Sequence, residues 1–469
     1  MVRTRIPPSP TGNDLHIGNL YSALINWAFA HKHNGQFIVR IEDTDRTRFV
    51  EGAAEQILAT LRAYDLEPDE DMIKGGPFGP YIQSQRLDLY KKYARQLISQ
   101  GDAYYCFCSE DRLTELREQA RAQKRQPKYD RYCLKLSATE IQDKLNENAP
   151  HVIRLRIPDG STTYKDTIRG EITIDNSTLD DQVLIKSDGY PTYHMAVVVD
   201  DHLMEISHVI RAEEWMASVP KHVILYDMLK WELPIFTHLP LLRTPEKGKI
   251  SKRKGAVWAS WYLEEGYLRE AVLNYLALMA WSHPDQKEIF SLDEYIRVFD
   301  LKDINPSAPI FDVVKLTWMN GEYIRKMGPE ELSKKLLEFH KEKYSKELID
   351  KTIPLIQERI KTLKEYDEYC NFFVTAPTDY EVDLGKYSNV ILKTNDALSQ
   401  LSTWSVESIG QAMLQVAVDA GLKNSEYFMI MRVIITGKKI SPPLNESMEL
   451  LGKEECLKRL HPVTVNVNG

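Results

Sequence analysis

A chain of 469 residues is too long for one ordinary hydrophobic core, so about two to four domains are expected. With 43% hydrophobic and 27% charged residues, no apolar run as long as a membrane span and no basic-then-apolar start, it reads as a soluble, cytoplasmic protein without a membrane partner. A net charge of −8 argues against general nucleic-acid binding but leaves local basic patches open, and five cysteines, three of them between Cys106 and Cys133, read as reduced thiols or a metal site rather than a disulfide framework.

Taken in order, Val2 to Ile6 reads as a strand, and Ile17, Leu20, Leu24, Trp27 and Ala28 recur at helical spacing until Gly35 stops the helix. Phe37 to Ile41 reads as a second strand. Strand, helix, strand makes a parallel pair with a right-handed crossover, whose ligand crevice lies at the carboxyl ends of the strands. The loop there, Pro7-Pro8-Ser9-Pro10-Thr11-Gly12, leads to His16 and Gly18 at the mouth of the helix. It lacks the GxGxxG of a dinucleotide site. Free backbone N–H groups and the helix dipole favour phosphate at such a point, Gly18 allows close approach of a purine or ribose, and His16 is placed either to donate to phosphate or simply to cap the helix. The second strand runs into Glu42, Asp43 and Asp45. A partly buried Glu42 needs a cation, and both a bound ammonium and Arg5 are candidates.

Ala53 to Leu66 and Arg86 to Gln100 read as helices, the second ended by Gly101. Cys106 and Cys108 are separated by one residue, and twenty-four residues follow before Cys133, a stretch carrying seven basic side chains from Arg112 to Arg131. Three thiolates suit Zn²⁺ if a fourth ligand is supplied; Tyr129 is the candidate, and three packed thiols are the alternative. His151 to Ile157, Thr163 to Ile168 and Gly170 to Ile174 read as strands. Lys186 to His194 reads as a turn, followed by Met195 to Val199 as a buried strand ending at Asp200-Asp201-His202. A further strand, His208 to Ile210, ends in Arg211-Ala212-Glu213, with Arg211 a natural fork for a carboxylate. After a strand at Ile235 to Leu242, five cations fall within the eight residues Lys247 to Lys254. That run is either a solvated loop or a clamp for a departing polyphosphate. Beyond about residue 320 the pattern is helical throughout: Pro329 to Lys343, Lys346 to Phe373, Ser388 to Leu401, Ser405 to Gly421, Ser425 to Gly437 and Leu444 to Leu460.

Taken together, Arg5-x-x-Pro8-Ser9-Pro10-Thr11-Gly12 with His16-Ile17-Gly18-Asn19, Arg40-Ile41-Glu42-Asp43-Thr44-Asp45-Arg46, Ser187-Asp188-Gly189-Tyr190-Pro191-Thr192-Tyr193, Val209-Ile210-Arg211-x-Glu213 and Lys249-Ile250-Ser251-Lys252-Arg253 resemble the glutamyl-tRNA synthetase family, class I aminoacyl-tRNA synthetases of bacterial type. The resemblance continues through Trp318-Met319-Asn320-Gly321 to Leu450-Leu451-Gly452. It implies an α/β fold: a doubly wound, Rossmann-like catalytic sheet in two halves (1–75 and 191–245), an acceptor-stem insertion (76–190), a connecting part with the cationic loop (246–320) and an all-α anticodon-binding domain (321–469). It implies ATP with Mg²⁺, bound by Thr11, Gly12, His16, Gly18, Asn19, Glu213, Lys249 and Lys252, with His16, Gly18, Lys249, Ser251 and Lys252 acting on the phosphates. For L-glutamate it implies Glu42 at the ammonium and Arg5, Ser9, Tyr193 and Arg211 at the carboxylates. The glutamyl group would pass through an adenylate to tRNA-Glu, with Arg359 at the anticodon and the protein a monomer.

Four positions depart from the wider patterns. Asn19 stands where the class signature has a second His, Ile250 and Arg253 stand where it has Met and Ser, and Lys135 replaces the His that commonly completes a zinc set. The rival readings are a relaxed enzyme charging tRNA-Gln as well, a glutaminyl enzyme, disfavoured by a helical rather than β-barrel C-terminus, and a non-catalytic tRNA-binding paralogue.

Overall fold

The computed structural model describes residues 1–245, 257–341 and 343–461, which fall into two compact units, 1–262 with 272–312 and 263–271 with 313–469. In the first, β1 (Arg3–Ile6) leads through the Pro-rich loop to α1 (Ile17–Lys32), and β2 (Gln36–Val39) returns parallel to β1 in the register Arg3 opposite Gln36 to Ile6 opposite Val39. The turn between α1 and β2 depends on Gly35: a Cβ there would lie 2.1 Å from the Val2 carbonyl oxygen, which accepts from Gln36 N. No side chain fits that crossing.

The helices α2 (Ala53–Ala63) and α3 (Leu87–Gln100) follow, α3 closing on Gly101 in the left-handed region. Then come β3 (Ala103–Cys106), α4 (Glu110–Ala122), α5 (Ala138–Asn146), β4 (Val152–Leu155), β5 (Ser161–Asp166), β6 (Gly170–Asp175) and β7 (Val183–Ile185). Strands β3, β4 and β7 form an antiparallel sheet. The α4 helix, rich in Arg and Glu, buries nothing, as its polar sequence predicts.

Residues 161–175 lie within the expected insertion, yet the β5–β6 hairpin joins the other sheet. Asp166 pairs with Phe236, so the order is β6-β5-β9-β8. The last two are β8 (His208–Ala212) and β9 (Ile235–Leu239), parallel and connected through α7 (Val219–Met228). Ser207, just before β8, donates its backbone N–H to the Arg3 carbonyl, so β1 and β8 start side by side and their carboxyl ends open on one crevice.

One expectation is overturned between β7 and β8. Met195 to Val199 is not a strand: it lies inside α6 (Tyr193–Leu203), which also carries Asp200, Asp201 and His202. Short apolar runs do not reveal their period, and α6 is buried on most of its circumference against α3 and α7, so burial overrides the strand preference of three successive valines. The turn expected over Lys186 to His194 runs only as far as Thr192, with Gly189 at φ +81°, because Tyr193 and His194 already belong to α6.

The helices α8 (Ala259–Glu264), α9 (Arg269–Ala277) and α10 (Leu292–Val298) follow. The second unit is helical from α11 (Val313–Lys326) onward. There α12 (Pro329–His340), α13 (Lys346–Ile356) and α14 (Glu365–Cys370) share one core. A second core joins α15 (Ser388–Ser399), α16 (Val406–Asp419), α17 (Asn424–Thr436), α18 (Leu444–Leu451) and α19 (Lys453–Leu460). Two helices expected to be continuous are broken. Lys346 to Phe373 stops at Ile356, two residues past Pro354, whose ring removes a ladder donor; Leu444 to Leu460 is divided by Gly452 at φ +85°. Among the described residues no helix is long and apolar enough to cross a membrane.

Candidate active site

The crevice at the carboxyl end of β1 is held by backbone first. Glu42 N donates to the Pro8 carbonyl (3.0 Å) and Val50 N to that of Pro10 (2.9 Å), so the loop lies against the segment leaving β2. Thr11 and Gly12 are half-buried on it, and Ser9 and Asn19 are exposed. His16 caps α1: its Nδ1 accepts from Gly18 N at 3.0 Å, which leaves the proton of a neutral ring on Nε2. A Cβ at Gly18 would come within 3.2 Å of that Nδ1, so glycine keeps the capping ring undisturbed. The cap therefore uses Nδ1, and the ring proton sits on the other nitrogen. The chain that returns at Val257 is fixed to the same point: Ile17 N donates to the Val257 carbonyl and Ala259 N to that of Leu15, each at 2.8 Å. Lys249, Ser251 and Lys252, with the rest of the cationic run, lie outside the described residues.

Behind the loop is a buried network of charge. Arg5 donates through Nε and Nη2 to the two oxygens of Asp201, both at 3.0 Å, while its Nη1 is buried without a partner. Arg40, fully buried, reaches Asp201 (2.8 Å), Glu42 (3.0 Å) and, at 3.6 Å, Asp200. Burial acts to lower the Arg40 pKa, but these three carboxylates outweigh it and hold the group charged. Asp200 also accepts from Arg86, Gln83 and Tyr90. Glu42 thus has Arg40, not Arg5, as its cationic partner. One of its oxygens takes Arg40 and Gln83, and the other takes no hydrogen bond from the described residues. Burial raises the Glu42 carboxyl to about 7 despite the pull of Arg40 and Arg5.

Arg211, on β8, is 5% exposed and is held at three points: Nε to His238 Nε2 (3.1 Å), Nη1 to the Tyr193 hydroxyl (2.7 Å) and Nη2 to the Trp215 carbonyl (3.4 Å). All three partners are neutral. A guanidinium has five N–H groups, so two remain for a ligand. The Tyr193 ring lies 4.4 Å from that of Trp215, and its hydroxyl feels the charges of Arg211, Glu42, Arg5 and Asp201, which places these groups around one space. Glu213 has a structural tie, accepting from Leu241 N and from Arg169.

The cysteine cluster lies in the β3–β4–β7 part. The sulfurs of Cys106, Cys108 and Cys133 come together, with Cys108 and Cys133 at 3.5 Å, and the Tyr129 oxygen is 3.4 Å from both Cys106 and Cys108. A tetrahedron with Zn–S near 2.3 Å and Zn–O near 2.0 Å has edges of about 3.8 Å between sulfurs and about 3.5 Å from sulfur to oxygen, so this set fits the ion. In the second unit, Arg359 is exposed in the turn after α13, not on a helix, and lines a cavity of about 580 Å³ with Phe428, Arg432, Lys439 and Asn445.

Several site residues escaped sequence reasoning. In the sequence Arg40 stands out only as part of a motif, Asp200 and Asp201 read as a strand end, and no local pattern distinguishes Gln83, Arg86, Asp166 or His238. An Arg inside an apolar strand is a usable signal, since burial obliges a partner. Nothing local marks its partner Asp201, which lies 161 residues away.

Comparison with known proteins follows the same division. Residues 1–318 match the family described as tRNA synthetases class I (E and Q), catalytic domain, and residues 329–463 match an anticodon binding domain. The chain is 45% identical to glutamate–tRNA ligase of Acidothermus cellulolyticus, over 98% of this chain and 94% of that one, and 45% identical to that of Clostridium kluyveri, over 98% and 96%. Among solved structures it is similar to a glutamate tRNA ligase from Elizabethkingia meningosepticum in complex with its amino acid, with a TM-score of 0.85, 36% identity and 99% of each chain covered.

Proposed function

The chain belongs to the glutamate–tRNA ligases, class I aminoacyl-tRNA synthetases, and from that premise we propose how its own residues join L-glutamate to tRNA-Glu at the expense of ATP. The observation that carries the assignment of the amino-acid pocket is Arg211, a buried cation with no counter-ion in contact among the described residues. Such a group demands an anion, and the side-chain carboxylate of glutamate supplies one. A neutral amide in its place forfeits the charge-assisted pair, which is the physical basis for refusing glutamine. The unpartnered Nη1 of Arg5 and the free oxygen of Glu42 serve the α-carboxylate and the ammonium, with Tyr193 and Ser9 beside them.

In the first step an oxygen of the substrate α-carboxylate attacks the α-phosphorus of ATP, the bond to the β-phosphate oxygen breaks, and pyrophosphate leaves. His16, through Nε2–H, and the N–H groups at the start of α1 stabilise the charge that builds on the α-phosphate, with Thr11, Gly12, Gly18, Asn19 and Glu213 around the nucleotide. Lys249, Ser251 and Lys252 would act on the departing phosphates, whose charge Mg²⁺ would help to neutralise when bound. In the second step a hydroxyl of the terminal ribose of tRNA attacks the glutamyl carbonyl and AMP leaves. Arg359, with Arg432 and Phe428, offers cations and a ring to an unpaired anticodon base.

Two further results are expected. Because the Glu42 carboxyl titrates near 7 when the pocket is empty and must be ionised to hold an ammonium, glutamate binding releases a proton. Affinity for glutamate should fall on the order of tenfold between pH 8 and pH 6, since the neutral acid prevails below its pKa. Titration calorimetry in buffers of different ionisation enthalpy measures that proton, and a pH-independent affinity would contradict the role of Glu42. Zinc held by Cys106, Cys108, Tyr129 and Cys133 would cross-link the start and end of the α4 segment. Metal analysis should give a stoichiometry near one, lost in Cys133→Ser; no zinc in the purified protein ends this part of the reading.

The function itself is tested by charging matched tRNA-Glu and tRNA-Gln transcripts with labelled glutamate and ATP. Charging of tRNA-Glu alone is expected, and charging of both would assign the relaxed activity and remove Arg359 as a selector.

A further inference from the structure

Asp166, His238 and Arg211 form a buried chain that reaches from the β5–β6 hairpin across the sheet to the crevice. The Asp166 and His238 side chains are wholly buried. One Asp166 oxygen accepts from the backbone N–H of Ile168 and of Arg169, both at 3.0 Å, and the other lies 2.7 Å from His238 Nδ1. With both its oxygens accepting, Asp166 is the ionised partner. Burial alone would raise its pKa, but His238 and the two backbone donors keep it below the usual range, while burial keeps the imidazole of His238 neutral. The single ring proton therefore sits on Nδ1 and points at Asp166. Nε2 is left as a bare acceptor, and Arg211 Nε donates to it at 3.1 Å.

We propose that His238 is a specificity-determining positioning residue: fixed in one tautomer by Asp166, it locks the rotation of the Arg211 guanidinium so that two N–H groups face the substrate side-chain carboxylate. This rests on the reading that Arg211 receives that carboxylate. A guanidinium anchored only by Tyr193 and Trp215 can turn about its last torsions, and a bidentate contact is sensitive to such turning. Burial makes the tautomer a strict requirement, because a proton on Nε2 would face the N–H of Arg211 at a point where both groups are buried.

The geometry selects variants that separate positioning from mere packing. In Gln the terminal amide oxygen reaches about where Nε2 stood, so His238→Gln keeps an acceptor for Arg211. In Asn the amide reaches only about as far as Nδ1, so His238→Asn keeps the bond to Asp166 and loses Arg211. Asp166→Asn offers an N–H to Nδ1 and drives the ring proton to Nε2, where it opposes Arg211. Tyr193 and Trp215 are untouched in all three.

Glutamate-dependent ATP–pyrophosphate exchange in the presence of tRNA, on the full-length enzyme, gives KM for glutamate, KM for ATP and kcat. His238→Asn and Asp166→Asn are each expected to raise KM for glutamate about 10- to 50-fold, with KM for ATP and kcat within about threefold, and His238→Gln is expected to restore KM to within about threefold of the parent. Equal KM in the Gln and Asn variants, or a loss confined to kcat, overturns the proposal. If His238→Asn does not fold, Asp166→Asn against His238→Gln makes the same comparison. Arg211→Gln serves as the control: an unchanged KM there refutes the assignment of Arg211 itself, whereas a raised KM there with a normal His238→Asn refutes only the role of His238.

Discussion

Replacing Arg211 by Gln is expected to lower kcat/KM for glutamate about 100- to 1,000-fold, mostly through KM, because one partner of a desolvated charge pair is removed. The fold should tolerate the change. The protein partners of Arg211 are His238, the Tyr193 hydroxyl and the Trp215 carbonyl, so no carboxylate is stranded when the cation goes. Arg5 and Arg40 differ, since each neutralises Asp201, and truncating either leaves a buried anion. A second readout follows from the same physics. Activity with glutamine should change little or rise, so that the preference for glutamate narrows by the same factor. Pyrophosphate exchange with each amino acid measures both, and a glutamate KM within threefold of the parent would falsify the carboxylate role.

The second large effect concerns His16. His16→Asn should slow glutamyl-adenylate formation about 100- to 1,000-fold in kcat, the loss associated with one preorganised donor at a site of developing charge. Substitution by Ala would mix this with the loss of the helix cap, worth about 1 kcal/mol. Asn separates the two, because its side-chain oxygen caps α1 as Nδ1 does while nothing reaches the position of Nε2. The expected result is an unchanged melting temperature with a collapsed kcat and little change in KM for glutamate. A kcat within threefold of the parent would reduce His16 to a cap. Gly18→Ala provides a milder version, since its Cβ meets His16 Nδ1 at 3.2 Å and must tilt the ring.

Much of this protein was legible without coordinates wherever the cause was local. The helix from Ile17, the strand on either side of it and the Gly101 stop follow from periodicity, capping and the freedom of glycine, which act over a few residues. The charged strand end at Glu42 and the fork at Arg211 were legible as chemistry in want of a partner. The spacing of the cysteine run left a metal site and three packed thiols both open, and the structure brings the three sulfurs together with the Tyr129 oxygen 3.4 Å from two of them.

What the sequence could not decide were the matters settled by distance along the chain. Met195 to Val199 has the residues of a strand and lies in a helix, because burial on nearly all sides removes the periodic signal that separates the two. By sequence Glu42 has both a ligand and Arg5 as possible partners, and the packing gives it Arg40, since Asp201 already occupies Arg5 from 196 residues away. Asp166 falls inside the stretch Thr163 to Ile168, which reads as a strand of the insertion, and sheet pairing brings it under His238 and so behind Arg211. Local sequence fixes which groups need partners; only the close-packed interior decides which partner each one gets.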